Sequence, residues 1–80
     1  MERESVLLQL NTIFVDVLDD NSISLTEEST AADVEEWDSL NHIHLVVSFE
    51  KTFDIRFSSE EIQSWMSVGD ILDSILEEVG

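Results

Sequence analysis

The chain has 80 residues, and its nineteen acidic residues oppose only three basic ones, so its formal charge at pH 7 is −16. This balance argues against nucleic acids and anionic membranes as partners, because so few cations cannot replace the counterions of a polyanion. We expect partner proteins with basic patches instead. The chain has no cysteine, which excludes disulfides and thiolate metal sites.

Hydropathy gives no sign of a membrane segment. No apolar run approaches the ~18 residues of a membrane span, and the N-terminus lacks the basic-then-apolar pattern of a signal peptide. From length and hydropathy we expect one domain over residues 1–80, located in the cytoplasm and monomeric.

The first predicted helix covers residues 3–18. Its apolar residues recur at steps of one, three and four, which places them on one buried stripe. They are Val6, Leu7, Leu10, Ile13, Phe14, Val17 and Leu18. Glu2 and Glu4 lie near its N-terminus, where negative charge is favourable, and the acidic run after residue 18 predicts its end.

Residues 19–37 form a long connection. Its apolar residues are spaced too irregularly for a strand or a long helix, and we expect them to anchor the loop on the helices. They are Ile23, Leu25, Ala31, Val34 and Trp37. Trp37 has the position from which a hydrophobic side chain staples the entry to the next helix. Loops of this length in small domains are usually functional or mobile.

The central predicted helix opens after Asp38 and runs to about Phe53, with no glycine or proline to interrupt it. Its apolar residues cover more than half of the helix circumference, which predicts contact with several neighbours at once. They are Leu40, Ile43, Leu45, Val46, Val47, Phe49 and Phe53. The remaining polar stripe holds Asn41, His44, Ser48, Lys51 and Thr52.

The start of this helix offers a site for an anion. Asp38 is a good N-cap, and it places the Ser39 hydroxyl in the first turn, pointing outward beside unpaired backbone N–H groups. Those donors and the helix dipole favour a bound phosphate, although the charge of Asp38 opposes it locally.

Two further helices follow the central one. Residues 54–57 form a short extended connector. The spacing Ser58-x-x-Glu61 is a capping box that predicts a short helix from Ser59 to about Trp65. Ser67-x-x-Asp70 repeats the box and opens a fourth helix that reaches Val79. The fold class is therefore all-α: a small antiparallel four-helix bundle with a long loop between helices 1 and 2 and a short third helix.

Three segments together resemble a known family. Trp37-Asp38-Ser39-Leu40, the run 49–55 and Ser67-Val68-Gly69-Asp70 are similar to the attachment motif, the second helix end and the fourth helix start of acyl carrier proteins. The resemblance implies a cytosolic carrier, not an enzyme, whose Ser39 receives 4′-phosphopantetheine from coenzyme A. A phosphopantetheinyl transferase would attach the arm. Acyl groups would then travel on it as thioesters to acyl-activating enzymes, synthases or acyltransferases.

The resemblance also assigns surfaces around Ser39. It implies that Asp38 assists attachment and that a partner-binding face is formed by Leu40, Asn41, Ile43, His44 and Val47. The short helix would supply a movable wall for the acyl chain from Ile62, Trp65 and Met66, with ordinary core packing of these three as the open alternative. Fatty-acid carriers usually have glutamates on the exposed face of the central helix; here that face lacks them, and His44 replaces one. This favours a specialised acyl, lipid or polyketide-type pathway.

Other chemistries have weaker support. Ser39 and His42 lie at i and i+3, but one helix turn supplies neither the orienting acid nor the oxyanion hole of a hydrolase. His42 and His44 point about 200° apart on a helix, so no shared metal site is expected. Amid so many carboxylates we expect both histidines to have raised pKa values. The rival function is a small acidic helical adaptor that binds a basic protein and carries no prosthetic group.

Overall fold

The computed structural model describes residues 2–79, so residues 1 and 80 of the predicted domain lie outside the described residues. Its four helices are α1 (Arg3–Leu18), α2 (Ser39–Phe53), α3 (Ser59–Ser64) and α4 (Val68–Val79). No strand occurs within residues 2–79. The predicted antiparallel four-helix bundle, with its long first loop and short third helix, is confirmed.

The core forms where α1, α2 and α4 meet. Phe14 of α1 and Phe49 of α2 are fully buried and stack with ring centroids 6.0 Å apart. Fully buried aliphatic side chains surround them, because the buried stripes of the three helices converge there: Val6, Leu10, Leu45, Val68, Ile71, Leu72 and Ile75. The stripe predicted for α1 is confirmed, with Leu7 and Val17 half-buried at its edges.

Helix α2 contacts several neighbours, as predicted: α1, the long loop and Trp65. Its apolar surface is nevertheless only partly covered. Leu45, Val46, Phe49 and Phe53 are buried, but Leu40, Ile43 and Val47 are exposed. Helix α2 packs chiefly on α1, and α3 spans only six residues and buries none of them. One apolar side of α2 therefore remains uncovered.

The long loop is fixed to α1. Leu25, Val34 and Trp37 are buried as predicted, and Ile23 packs partly against the core, whereas Ala31 is exposed. Asn11 of α1 holds the loop with both ends of its amide: Oδ1 accepts from Leu25 N–H at 2.7 Å, and Nδ2 donates to the Ile23 carbonyl at 3.4 Å. The expectation for Ala31 fails because a single methyl group gains little from burial.

The same loop also closes the start of α4. The N–H groups of Val68 and Gly69 donate to the carbonyls of Ser29 and Glu27, both at 2.8 Å. A Cβ atom at position 69 would lie 3.0 Å from the Glu27 carbonyl oxygen, so any other residue there would push the loop backbone away by a few tenths of an ångström. Arg3 pairs with Glu27 at 2.6 Å and with Asp73 of α4 at 2.7 Å, which joins the loop to two helices.

The predicted capping boxes differ in outcome. Ser58 Oγ accepts from Glu61 N–H at 3.1 Å, as predicted for α3. At α4 the Asp70 N–H bonds to the Ser67 carbonyl, and the Asp70 carboxylate accepts from Met66 N–H at 2.9 Å. The second box is therefore wrong in detail, because loop carbonyls already bond the first-turn donors of α4.

Candidate functional site

Ser39 is the first residue of α2, and its side chain is exposed. Asp38 precedes it with extended backbone, and its Oδ1 accepts from Asn41 N–H at 2.8 Å. The Asp38 carbonyl also accepts from His42 N–H at 2.8 Å, which closes the first turn. The predicted cap is confirmed, and it fixes the direction in which the serine leaves the helix.

The first turn of α2 retains free donors. Within residues 2–79 no hydrogen bond involves the Ser39 hydroxyl or the N–H groups of Ser39 and Leu40. These N–H groups point along the helix axis toward its N-terminus, where the dipole favours an anion. A phosphodiester on the Ser39 oxygen would therefore meet unpaired donors, and the residues present fit a phosphate-linked group.

Trp37 and His42 fasten the loop to α2 beside Ser39. The indole N–H of buried Trp37 donates to His42 Nδ1 at 2.9 Å, and the two rings stack with centroids 6.1 Å apart. Phe14 meets the other side of the indole edge-on at 5.0 Å. Because Nδ1 accepts, the neutral imidazole carries its proton on Nε2.

The expectation of a raised pKa for His42 is wrong. Burial lowers the pKa of His42 below its ordinary value, and a hydrogen bond to the backbone of Ile62 only partly opposes this. The imidazole is half-buried between the indoles of Trp37 and Trp65 rather than among carboxylates. Within residues 2–79 it also makes no hydrogen bond to Ser39, so the serine has no base beside it.

A groove of about 430 Å³ lies next to Ser39. Its lining consists of Ala31, Trp37, Asp38, Ser39, His42, Trp65 and Met66. Trp65 is held by Ser74, whose Oγ accepts from its indole N–H at 2.8 Å, and by Phe57, which meets it edge-on at 4.8 Å. Met66 is 80% exposed. The groove thus combines a fixed aromatic wall with one flexible side chain.

The groove includes only part of the predicted acyl wall. Trp65 and Met66 line it, but Ile62, half-buried on α3, does not. Sequence reasoning missed Trp37 and His42 as lining residues. Their positions, immediately before the cap and in the fourth helical position, are those of a hydrophobic staple, which could have identified them.

The residues predicted to bind partners have two different surroundings. Leu40, Ile43 and Val47 are 67%, 62% and 47% exposed, and His44 is exposed between them. Asn41 is half-buried, and its side-chain amide donates to the Glu36 carbonyl at 2.8 Å. The structure therefore brings four of the five to the surface beside Ser39, while Asn41 holds the loop.

Residues 2–79 contain no group of three or more histidine, cysteine or acidic side chains arranged to hold a metal ion. None of their helices has both the length and the apolar character that crossing a membrane requires.

Comparisons with known proteins agree on one family. The chain is 33% identical over 75 residues to the acyl carrier protein of Coprothermobacter proteolyticus, covering 94% of this chain and 92% of that one. It is 32% identical to the acyl carrier protein of Phenylobacterium zucineum, with 94% and 95% covered. No family model matches the sequence.

Solved structures of the same family superpose closely. The holo acyl carrier protein of Geobacter metallireducens matches with a TM-score of 0.86 and 42% identity, over 91% of this chain and 84% of that one. The acyl carrier protein of Thermotoga maritima matches with a TM-score of 0.87 and 28% identity, over 99% and 92%.

The chain belongs to the acyl carrier proteins. As a member of this family it is a carrier and not an enzyme. Membership of this family favours a carrier over the small helical adaptor.

Proposed function

We propose that Ser39 is the attachment site of 4′-phosphopantetheine and that the chain acts as a single carrier domain. The supporting observation is the exposed Ser39 hydroxyl at the first position of α2, beside free N–H groups and a capping aspartate. When bound, the group supplies a thiol on which acyl groups are held as thioesters. Ser39 provides the ester oxygen, and the first turn of α2 stabilises the phosphate charge.

Asp38 has two roles in this proposal. One carboxylate oxygen caps α2 through Asn41 N–H. Its other oxygen is available to the Mg²⁺ that a phosphopantetheinyl transferase uses while it transfers the arm from coenzyme A. Asp38 thereby keeps Ser39 at the helix start and helps to orient the modifying enzyme.

The groove beside Ser39 shelters part of the arm or its cargo. Trp65 and Met66 form its outer wall, and Trp37 and His42 form the wall next to the serine. Ile62 joins this wall only when α3 moves, because it lies outside the present lining. Displacing α3 costs little free energy, because this helix spans six residues and none of them is buried.

Partner enzymes bind around the arm. Leu40, Ile43 and Val47 supply apolar contacts, and His44 a polar one, while Asn41 supports the loop behind them. The partners are the transferase and acyl-activating, synthase or acyltransferase enzymes. Their basic patches meet the acids that precede α2, among them the exposed carboxylate of Asp38 next to Ser39.

The pathway is a specialised acyl, lipid or polyketide-type pathway in the cytoplasm, and the carrier acts as a monomer. Support comes from α2 itself, which has no acidic residue in its first turn. Partners selected by glutamates on the exposed side of that helix would find none, because its one glutamate, Glu50, is half-buried and bonded to the Phe57 N–H. Tethering on the arm raises the effective concentration of the acyl group at a bound enzyme.

Mass spectrometry of the intact chain tests the attachment. The protein is incubated with coenzyme A, Mg²⁺ and a broad-range phosphopantetheinyl transferase. We expect one mass increase of the size of phosphopantetheine, complete loss of it in Ser39→Ala, and retention in Ser59→Ala. Ser59 is a matched control, because it is also an exposed serine at the first position of a helix. An unmodified wild-type chain, or a modified Ser39→Ala, would overturn the proposal.

A further inference from the structure

The exposed side of α2 has an unusual charge for this protein. Nineteen of the 80 residues are acidic, yet none of the exposed residues of α2 is. These are Ser39, Leu40, Ile43, His44, Val47, Lys51 and Thr52. We call this set the α2 face. On a chain of net charge −16, the α2 face is apolar at its centre and cationic at Lys51.

The only carboxylate of α2 is directed away from this face. Glu50 is half-buried, and its Oε2 accepts from the Phe57 N–H at 2.9 Å. That bond turns Glu50 toward the connector between α2 and α3. The acidic side chains near the helix ends, Asp38 and Asp54, belong to the caps on either side of the face.

The positive charge on the α2 face has no partner within the described chain. Ion pairs among residues 2–79 involve Arg3, which contacts Glu27 and Asp73, and none involves Lys51 or Arg56. Lys51 and Arg56 lie at the far end of the face around a groove of about 490 Å³, which Glu50 and Asp54 also line. The ammonium group of Lys51, one turn from exposed Val47, can therefore form an ion pair with a carboxylate of another protein.

The apolar centre indicates contact with another protein. Leu40, Ile43 and Val47 are spaced by three and four residues, so they lie on one side of the helix. Single exposed apolar residues are ordinary, but adjacent ones beside a functional residue mark an interaction site. Burying them would also enclose Lys51, because residues 47 and 51 are one turn apart.

We infer that the enzyme surface that covers the α2 face is an apolar recess with a carboxylate at the position of Lys51. This rests on the proposed function, since that surface is placed there to reach the arm on Ser39. The binding of a basic surface would instead bring its cations against Lys51. The acids of the same groove are Glu50, whose carboxylate already accepts from the Phe57 N–H, and Asp54, which lies beyond the end of α2.

The net charge does not prevent this arrangement. At about 0.15 M salt, exposed charges separated by more than ~8 Å are largely screened. A carboxylate at Lys51 therefore responds to that lysine and its neighbours more than to the remote acids of α4 and the long loop. Basic patches on the same enzyme would contact the acids near Asp38, so the two ends of α2 fix the orientation of the partner.

Three synthetic amphipathic helical peptides provide the probes. They share one leucine face, and their polar faces carry glutamate, glutamine or lysine. Each is titrated, at about 0.15 M salt, into isotope-labelled full-length protein while the backbone amide signals are followed by NMR. We expect the glutamate peptide to shift signals of Leu40, Ile43, Val47 and Lys51. We expect the lysine peptide to shift signals of the acidic loop and α4 instead.

Matched variants separate charge from apolar contact. Lys51→Glu should weaken binding of the glutamate peptide by up to about fivefold, the upper end for one exposed charge pair. Arg56→Glu makes the same charge change at the other cation of the groove, beyond the α2 face, and should weaken binding by less than Lys51→Glu does. Leu40→Ala should weaken binding of both the glutamate and glutamine peptides.

The inference is overturned if the lysine peptide binds the α2 face more tightly than the glutamate peptide. Equal binding of the glutamate and glutamine peptides, or no effect of Lys51→Glu, would also overturn it. These titrations do not require the arm, so their result is independent of the mass measurement on Ser39. Failure of either proposal can therefore be recognised separately.

Discussion

The two sides of α2 carry similar residues and have different surroundings. Leu45, Val46, Phe49 and Phe53 fill the core against α1, whereas Leu40, Ile43 and Val47, equally apolar, face the solvent. Leu40 and Leu45 are only five residues apart in the chain. The difference teaches that apolar character alone does not assign a helix position to the core. What lies opposite it decides, and within residues 2–79 no segment covers Leu40, Ile43 and Val47.

The most severe test of this comparison replaces the same residue type on each side. Leu45 is fully buried, and Leu45→Ala should lower the free energy of unfolding by about 2–5 kcal/mol, since it leaves a cavity. Leu40 is 67% exposed, and Leu40→Ala should change it by less than about 0.5 kcal/mol. Urea denaturation followed by tryptophan fluorescence measures both.

Equal losses in the two variants would show that Leu40 is part of the core after all, and the α2 face would have to be redefined. With the expected result, Leu40→Ala remains folded. It can then be used to measure partner binding without a stability correction.

A smaller change in the free energy of unfolding is expected for substitutions of Asp38, the N-cap of α2. Asp38→Ala removes the acceptor of Asn41 N–H and should cost about 1 kcal/mol. Asp38→Asn keeps an acceptor and should retain most of that stability, which separates capping from charge. Chemical denaturation of the two variants gives the comparison. If Asp38→Asn is as unstable as Asp38→Ala, the hydrogen bond to Asn41 is not what stabilises the helix start.

The smallest expected effect is the pH dependence of folding stability that His42 contributes. This residue lies between the buried and the exposed sides of α2. Its pKa is lowered in the folded chain by burial, while the unfolded chain keeps an ordinary value of about 6.5. As the pH falls below ~6.5, the unfolded state binds the proton more readily, so stability declines until the folded pKa is passed. Protonation would also place a hydrogen on Nδ1, which accepts from the Trp37 indole.

His42→Gln provides the control for this pH dependence. Urea denaturation of wild type and variant between about pH 5.5 and 7 should show a decline with falling pH that is steeper in the wild type. Using the difference between the two cancels other titrating groups, among them Glu36, whose pKa is raised by a hydrogen bond shared with Asp20. A steeper decline in the variant would contradict the neutral, buried His42.

Much of the fold could be predicted because its signals are local. The bounds 3–18 match α1, and the capping signals Asp38 and Ser58 are each followed directly by a helix start. The exposure of Ser39 followed from the cap in the same way, since the residue after an N-cap points out of the first turn. Cap and periodicity are properties of neighbouring residues, and no other part of the chain is needed to recognise them.

The parts that could not be predicted depend on distant residues. Which side of α2 stays uncovered depends on where the other segments pack, and the pKa of His42 is lowered by its burial beside the indoles of Trp37 and Trp65. The position of Asn41 depends on the Glu36 carbonyl of the loop. Apolar periodicity shows which residues can be buried, but not which of them a neighbour covers.

By itself, then, the sequence determined four helices, the caps of α2 and α3, and a serine presented at the start of α2, because hydrogen bonds and periodicity within a few residues are sufficient for these. Only the tertiary structure decided how the loop closes the start of α4 through Gly69, which rings surround His42, and which face of α2 is left for a partner. Those features arise where segments far apart in the chain meet. Their free energies depend on packing and desolvation, which local patterns do not specify.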